Sequence, residues 1–440
     1  MLPAFRKDPP GYLMSLARDH GNIVALSLGR QKAYFINDPE IVRDIFITHQ
    51  SNFKKSRMLE RARVLLGDGL LTSEGDNHKR QRRLVQPAFH RERLIGYAAS
   101  MVECAGTCRG RIQAGEPFDL SKEMMRLTLA IVGRTLFSSN VDSEADDIGA
   151  ALAQVFDLFE LILLPFSEWL EKLPLPSVRR FHKARARLDQ TIYRLIAERR
   201  ANPRDTGDLL SMLLLAREED GSGGMTDQQV RDEALTLFIA GHETTAQALT
   251  WTWYLLSQNP DAARTMRQEI DVVLGGRLPT FDDLPKLRYT EHVFAEGLRL
   301  YPPAWAIGRK CLTDFQAGPY LLPAGSIVLT SPFVMHRTER WFPEPEVFRP
   351  ERWEDEASLS EKESEKASEK ARPKFAYFPF GGGTRVCIGE RFAWMEGVLV
   401  LATLAQKWRF ELVPGHPIAT QARITLRPRH GMRMTAHSVA

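Results

Sequence analysis

The sequence predicts a mainly α protein with small flanking β-sheets, as one domain over residues 1–440. Three observations carry this. Helical periodicity dominates from about Pro39 to Tyr301. Strand-like alternation is confined to the two ends of the chain. No fixed-period repeat and no domain-joining linker before residue 350 interrupts the pattern. Hydrophobic residues make up 43% of the 440 and charged residues 26%, the composition of a globular chain with a sizeable core. The net charge of +4 is too small to argue for nucleic acid, but it suits a local basic patch that docks an acidic protein.

Near the start, "NIVALSLG" and "KAYFIND" alternate apolar residues around Gly29, predicting a hairpin. The most apolar short run, "LFELILLPF", is interrupted by Glu160 and Pro165. No stretch approaches the ~18–20 apolar residues of a membrane span, and the N-terminus has no apolar signal region. The expectation is a soluble protein without a membrane span.

The longest helix should begin at "MTDQQV". Thr226 and Gln229 form a capping box, and Asn259-Pro260 stops the helix about 32 residues later, roughly 48 Å along the axis. Its centre reads "AGHETTAQ", Ala240 to Gln247. A glycine there costs about 1 kcal/mol. Thr244 and Thr245 can bond back to earlier carbonyls, and Glu243 adds a charge. A helix long enough to be core yet weakened and polar at its middle marks either a site or a solvent-facing stripe.

Strand-like runs return at "GPYLLPAG", "SIVLTSP", "WRFELVP" and "ARITLRPRHGMRMTA". Between them, Glu354 to Lys374 is a charged Glu/Lys/Ser/Ala insertion with no apolar face, expected to stay solvated.

Four cysteines, Cys104, Cys108, Cys311 and Cys387, make no disulfide framework and point to a reducing, cytoplasmic setting. Cys104 and Cys108 share a helix face, but no second pair completes a metal site, so both read as semi-buried thiols. Cys387 lies in "FPFGGGTRVCIGERF", residues 378–392. A phosphate cradle is excluded because the Gly-Lys-Ser/Thr ending is missing. A nucleophilic thiol is open, since the helix beginning near Glu390 favours thiolate, though no histidine base is near in sequence. A thiolate ligand to haem iron is also open. Glycines would let the backbone pass under a macrocycle with N–H groups toward the sulfur, Phe380 would shield it, and Arg385 would meet a propionate.

These residues resemble the cytochromes P-450. The family pattern F-x-x-G-x-R-x-C-x-G is met by Phe380, Gly383, Arg385, Cys387 and Gly389. A-G-x-[DE]-T-T is met by Ala240, Gly241, Glu243, Thr244 and Thr245. E-x-x-R is met by Glu296 and Arg299, and P-E-R-[FW] by Pro350, Glu351, Arg352 and Trp353, in matching order over nearly the whole chain. The resemblance implies the P-450 fold, a triangular helical domain with haem between the long central helix and the Cys-loop helix. It implies haem b (iron protoporphyrin IX) with Cys387 as the metal ligand. Arg309 and Arg385 would meet the propionates, with His78 and Arg82 at the places of the family's W-x-x-x-R. Ala240, Thr244, Pro379, Phe380, Ile388, Gly389 and Ala393 would border the ring. Glu296, Arg299 and Arg352 would form a buried ion network, although E-x-x-R alone reads as a surface i,i+3 pair. The family's proline-rich lead has no counterpart before "MLPAFRKDPP".

The implied activity is a haem-thiolate monooxygenase. It would activate dioxygen with two electrons drawn from NAD(P)H through an external partner, and hydroxylate an apolar small molecule of fatty-acid, terpenoid or carotenoid type. Thr244 and Glu243 would be the catalytic proton-delivery pair. Substrate would meet Leu65, Leu66, Leu70 and Leu71, then Phe238, Ala240 and Thr245, then Ala304, Trp305, Ala306 and Ile307, with "FDLFELILLPF" roofing the entry. Arg372, Lys374, Arg391, Lys79 and Arg83 would dock an acidic ferredoxin or flavodoxin served by its reductase. The protein is expected to be a monomer. Three rival readings remain: a peroxygenase or isomerase, against which the Glu243-Thr244 pair argues; a haem-binding sensor, which should carry a second regulatory domain; and a cysteine hydrolase without haem.

Overall fold

The computed structural model describes residues 2–28, 31–137, 175–216, 223–354 and 372–439. The "FDLFELILLPF" stretch and most of the 354–374 insertion lie outside the described residues.

Helices dominate, as expected. They run α1 Leu2–Lys7, α2 Pro9–His20, α3 Pro39–Arg43, α4 Arg57–Leu66, α5 Gly75–Val85, α6 Arg91–Arg111 and α7 Leu120–Phe137. After the undescribed stretch come α8 Pro176–Ala201, α9 Leu209–Leu215, α10 Asp227–Gln258, α11 Pro260–Leu274, α12 Arg288–Leu300, α13 Pro332–Met335 and α14 Glu390–Ala405. Backbone contacts divide the chain into two compact units. Unit 1 holds residues 1–54, 105–124 and 244–440; unit 2 holds residues 55–104 and 125–243.

The sheets build unit 1. Strands β1 (Ile23–Leu28) and β2 (Gln31–Ile36) form the predicted antiparallel hairpin, with Ile23 opposite Ile36. With β3 (Phe53–Lys55), β5 (Ile307–Cys311) and β8 (Ile327–Thr330) they make a five-stranded sheet in the order β1-β2-β8-β5-β3. A second sheet has β12 (Arg433–Ser438) between β4 (Pro117–Asp119) and β9 (Trp408–Leu412). Two hairpins complete the set, β6 (Phe315–Ala317) with β7 (Tyr320–Leu322) and β10 (Thr420–Ala422) with β11 (Leu426–Pro428). Strands β3 and β4 fall inside the region where helical periodicity dominates, and neither was expected. Each is three residues long, too short to show a period of two, and exists only because a distant strand pairs with it.

Unit 1 is cemented by Ile36, Ile45, Phe46, Phe53, Cys311, Phe315, Phe375 and Phe378, a cluster that joins the large sheet to the residues before Cys387. Each Ile or Phe side chain in it contributes about 1.5–3 kcal/mol on burial.

Helix α10 begins with the expected capping box. Gln229 N–H donates to Thr226 Oγ1 at 3.2 Å, and Thr226 N–H donates to Gln229 Oε1 at 3.0 Å. It ends where predicted, with Pro260 opening α11. From Val230 to Trp253 every residue is buried except Ala240, Gly241 and Thr244. Those three stand at i, i+1 and i+4, on one face of the helix. A helix buried all round normally has no such opening.

Candidate active site

In unit 1 the Cys387 loop is built before it is used. The loop docks on the turn that follows α3. Thr384 donates through both its N–H and its hydroxyl to Gln50 Oε1, at 3.2 and 2.7 Å. Gly383 has φ +69°, and a Cβ there would collide with the Phe46 carbonyl oxygen. The glycine at 383 is therefore demanded by close packing against Phe46, a reason the sequence did not show. The Cys387 N–H donates to the Phe380 carbonyl at 3.0 Å, which closes the loop. None of the four cysteines is in a disulfide; Cys387 is exposed, whereas Cys104, Cys108 and Cys311 are buried. Around it Pro379, Phe380, Arg385, Ile388, Gly389 and Ala393 all keep part of their surface accessible. An accessible thiol ringed by apolar and glycine surface at the head of a helix fits a flat iron macrocycle with a sulfur ligand.

Arg309 lies on β5, its guanidinium 4.9 Å from the Phe46 ring centroid and its Nη1 donating to the Gly308 carbonyl. Thr244 keeps an accessible surface, while Thr245 is buried. The Thr245 hydroxyl faces Glu396, a fully buried carboxyl on α14 that sequence reasoning missed. Burial pushes Glu396 well above the usual carboxylate range, and the Thr245 hydroxyl partly offsets the push. Nothing in "WMEGVL" signals this; a glutamate in an apolar helix shows its burial only through the partners packed around it.

Glu296, Arg299 and Arg352 come together with no exposure at all for the first two. Arg299 binds both carboxylate oxygens of Glu296, at 2.8 and 2.9 Å, and Arg352 Nε adds a bond of 2.8 Å to Oε1. The remaining Arg299 donors go to the carbonyls of His336, Pro345 and Val347. The E-x-x-R pair is thus a core network and not a surface pair. Trp353, expected only as part of the P-E-R-[FW] match, joins the network: its indole donates to Glu296 Oε2 at 3.1 Å, and the Arg349 N–H donates to Oε1 at 3.0 Å.

Sequence reasoning left out His336. This ring is fully buried, and its Nε2 accepts the Phe378 N–H at 3.0 Å. Burial, with Arg299 next in effect, holds it well below the ordinary imidazole range. His336 is therefore neutral and ties the ion network to the segment leading into Cys387.

Of the other unit 1 residues, Ala304, Trp305, Ala306 and Ile307 are partly accessible. Trp305 packs against the cluster around Leu13, Phe35 and Phe333, and its indole donates to the Arg423 carbonyl at 2.9 Å. Arg372 stacks over Phe342 and Trp353, at 4.1 and 4.9 Å, so its side chain is engaged in packing; Lys374 and Arg391 are exposed.

In unit 2, His78 is buried on α5 and Arg82 is half-buried on the same face. Lys79 and Arg83 point outward beside Asp76, Asn77 and Arg80, and Lys79 pairs with Asp76 at 3.0 Å. Leu65, Leu66, Leu70 and Phe238 are buried, Leu71 and Ala240 are exposed, and Glu243 is buried. No group of three or more histidine, cysteine, aspartate or glutamate side chains placed to hold a metal ion occurs among the described residues. No described helix is long and apolar enough to cross a membrane.

Comparison with known proteins agrees with this arrangement. The sequence profile of the cytochrome P450 family matches residues 2–432. The chain is 41% identical to the cyclooctatin synthase of Streptomyces melanosporofaciens, over 98% of this chain and 90% of that protein. It is 38% identical to the cyclooctat-9-en-7-ol 5-monooxygenase of the same organism, over 94% of this chain and 87% of that one. Identity to the pentalenene oxygenase of Streptomyces avermitilis is 35%, over 98% and 93%. A family match over residues 2–432, and relatives aligned along almost their full length, leave one conclusion: this chain belongs to the cytochrome P450 family and is a haem-thiolate monooxygenase.

Proposed function

We propose that the enzyme hydroxylates a cyclic terpenoid, with electrons passed from NAD(P)H by an acidic ferredoxin or flavodoxin. The accessible Cys387 thiol is the observation that carries the haem chemistry. Relatives named for cyclooctat-9-en-7-ol and pentalenene support the substrate class. So does the apolar character of Leu65, Leu70, Leu71, Phe238, Ala304, Trp305, Ala306 and Ile307.

Haem with a thiolate ligand supplies dioxygen activation and insertion of one oxygen atom into a C–H bond. The chain supplies what surrounds that chemistry. Cys387 provides the sulfur. Arg309, Arg385, His78 and Arg82 neutralise and orient the propionates. Thr244, partly accessible on α10, would hold a proton through its hydroxyl. Glu243 passes protons toward Thr244 from water. Glu296, Arg299 and Arg352 hold the backbone that carries the Cys387 loop. Lys374, Arg391, Lys79 and Arg83 draw in an acidic electron donor, by an attraction that salt weakens. We further propose that both compact units serve one haem domain, working as a monomer in the cytoplasm.

Reduced enzyme treated with carbon monoxide should absorb near about 450 nm. A fully haem-loaded protein without that band would overturn the thiolate assignment. For the substrate, cyclic terpene hydrocarbons and alcohols should convert the haem from low to high spin at micromolar levels, whereas straight-chain fatty acids should not. The reverse order would replace the terpenoid reading with a lipid one.

A further inference from the structure

Between α4 and α5 the chain from Gly67 to Ser73 has no regular structure, yet it is held by charged groups that are themselves buried. Asp232 Oδ2 accepts the Asp68 N–H at 2.9 Å, and Glu233 Oε2 accepts the Leu70 N–H at 3.0 Å. Both acids sit near the start of α10 and are buried, Glu233 completely. Lys55, 4% exposed, donates through Nζ to the carbonyls of Leu70 at 2.9 Å and Ser73 at 2.7 Å. The segment lies flush against α10. Gly67 has φ +61°, and a Cβ there would collide with the Asp232 carboxylate; one on Gly69 would collide with Thr236 Oγ1. Asp232 is steadied by Arg231 Nη1 at 2.9 Å and Gln228 Nε2 at 2.7 Å. Glu233 Oε1 has no hydrogen-bond partner among the described residues. A buried acid that spends one oxygen on a single loop amide and leaves the other unmatched is an expensive way to pin a loop, since a neutral side chain would serve for stability alone.

We propose that Glu233, with Asp232 and Lys55, positions the substrate-contacting segment: these groups fix the backbone of residues 67–73 on α10 and thereby set where Leu70 and Leu71 meet an apolar ligand. Glu233 touches no reacting atom, so it is a positioning residue. The inference rests on the reading above that Leu65, Leu70 and Leu71 face substrate.

A second property follows from the same geometry. The charged groups facing Glu233 are Asp232 on its own helix, Lys55 on β3 and Asp68 in the segment. Burial raises its pKa to about 7 from the ordinary 4.5, Asp232 and Asp68 push the same way, and the Leu70 N–H and Lys55 oppose them. Releasing the segment returns the acid to water and to its ordinary value. The clamped state thus binds a proton more tightly than the released one. Release becomes easier as pH rises from about 4.5 to 7, by up to about 300-fold, and is constant above.

The test uses the haem-loaded enzyme and two readouts. Hydrogen–deuterium exchange over residues 67–73, corrected for intrinsic rates, reports the clamp. Titration with 4-phenylimidazole and with plain imidazole reports the pocket, because only the larger ligand carries an apolar group for Leu70 and Leu71 to meet. Glu233→Ala should raise exchange at least about tenfold and weaken 4-phenylimidazole several-fold while sparing imidazole. Glu233→Gln, which still accepts the Leu70 N–H, should restore both and abolish the pH dependence of exchange seen in the wild type. Identical exchange in wild type and Glu233→Ala overturns the clamp. Should the alanine variant not fold, a wild-type pH profile shared by Glu233→Gln overturns it equally. Leu71→Ala, at an exposed position, tests the pocket alone. Unchanged 4-phenylimidazole binding in that variant sinks the substrate reading and leaves the exchange result standing.

Discussion

The Nε2 of His336 accepts the N–H of Phe378 at 3.0 Å, nine residues before Cys387. The carbonyl of the same histidine accepts Arg299 Nη1 at 2.9 Å. One neutral, buried residue therefore couples the Glu296–Arg299 pair to the cysteine loop. His336→Phe keeps a ring in the core but leaves the Phe378 N–H without an acceptor. It should cost about 1–3 kcal/mol and reduce the fraction of enzyme showing the 450 nm carbon monoxide band. Urea unfolding of the haem-loaded variant measures the first effect, and an unchanged midpoint would refute the coupling.

Glu296→Ala should be far more damaging than loss of an exposed ion pair. It strands Arg299 and Arg352 in the core without a countercharge, at a cost of about 3–5 kcal/mol. Arg264→Ala, which breaks an exposed pair with Asp261 on α11, should cost less than about 1 kcal/mol. Comparable unfolding midpoints for the two variants would show that the buried network does not hold the fold.

Gly383→Ala probes the loop itself. The positive φ and the collision with the Phe46 carbonyl both oppose a side chain there, so the variant should lose about 1–3 kcal/mol and bind haem weakly. Haem content after purification is the readout. Full occupancy with wild-type stability would mean that the loop does not need its approach to Phe46.

Thr244→Ala should divert reducing equivalents to peroxide. Product formed per NAD(P)H consumed should fall several-fold while substrate binding, followed by the spin-state shift, stays close to wild type. If coupling is unchanged, Thr244 does not deliver the proton.

Glu396 predicts an alkaline effect. Its folded pKa is raised, so the folded state binds its proton more tightly than the unfolded chain does. Its contribution to stability is complete below the ordinary carboxylate value and is lost as pH rises toward the folded value. Glu396→Gln removes this dependence. The melting temperature of the variant should fall less than that of the wild type between pH 5 and pH 8, read by thermal scans in matched buffers, with about 1.4 kcal/mol at stake per unit of pKa difference. Parallel curves would show that Glu396 is ionised in the native enzyme.

Much of this protein was legible in its order of residues because the signals are local. A capping box joins residues three apart, so the start of α10 could be placed at Thr226, and Asn259-Pro260 marked its end. Alternation across Gly29 announced the first hairpin. Phe380, Gly383, Arg385, Cys387 and Gly389 at set offsets, with the order of the other motifs, carried the resemblance to the family to which the chain belongs.

Tertiary structure decided the rest, because those interactions join residues far apart in the chain. Sequence spacing could not tell whether Glu296 and Arg299 formed a surface pair or a core network; Arg352, Trp353 and the His336 carbonyl decided that. Gly383 looked like a device for aiming N–H groups, and the Phe46 carbonyl, over three hundred residues earlier, shows what excludes a side chain there. Glu396 and Glu233 carried no motif at all. A carboxyl's pKa depends on how much water its neighbours remove and which charges they bring, and only the packed chain determines either.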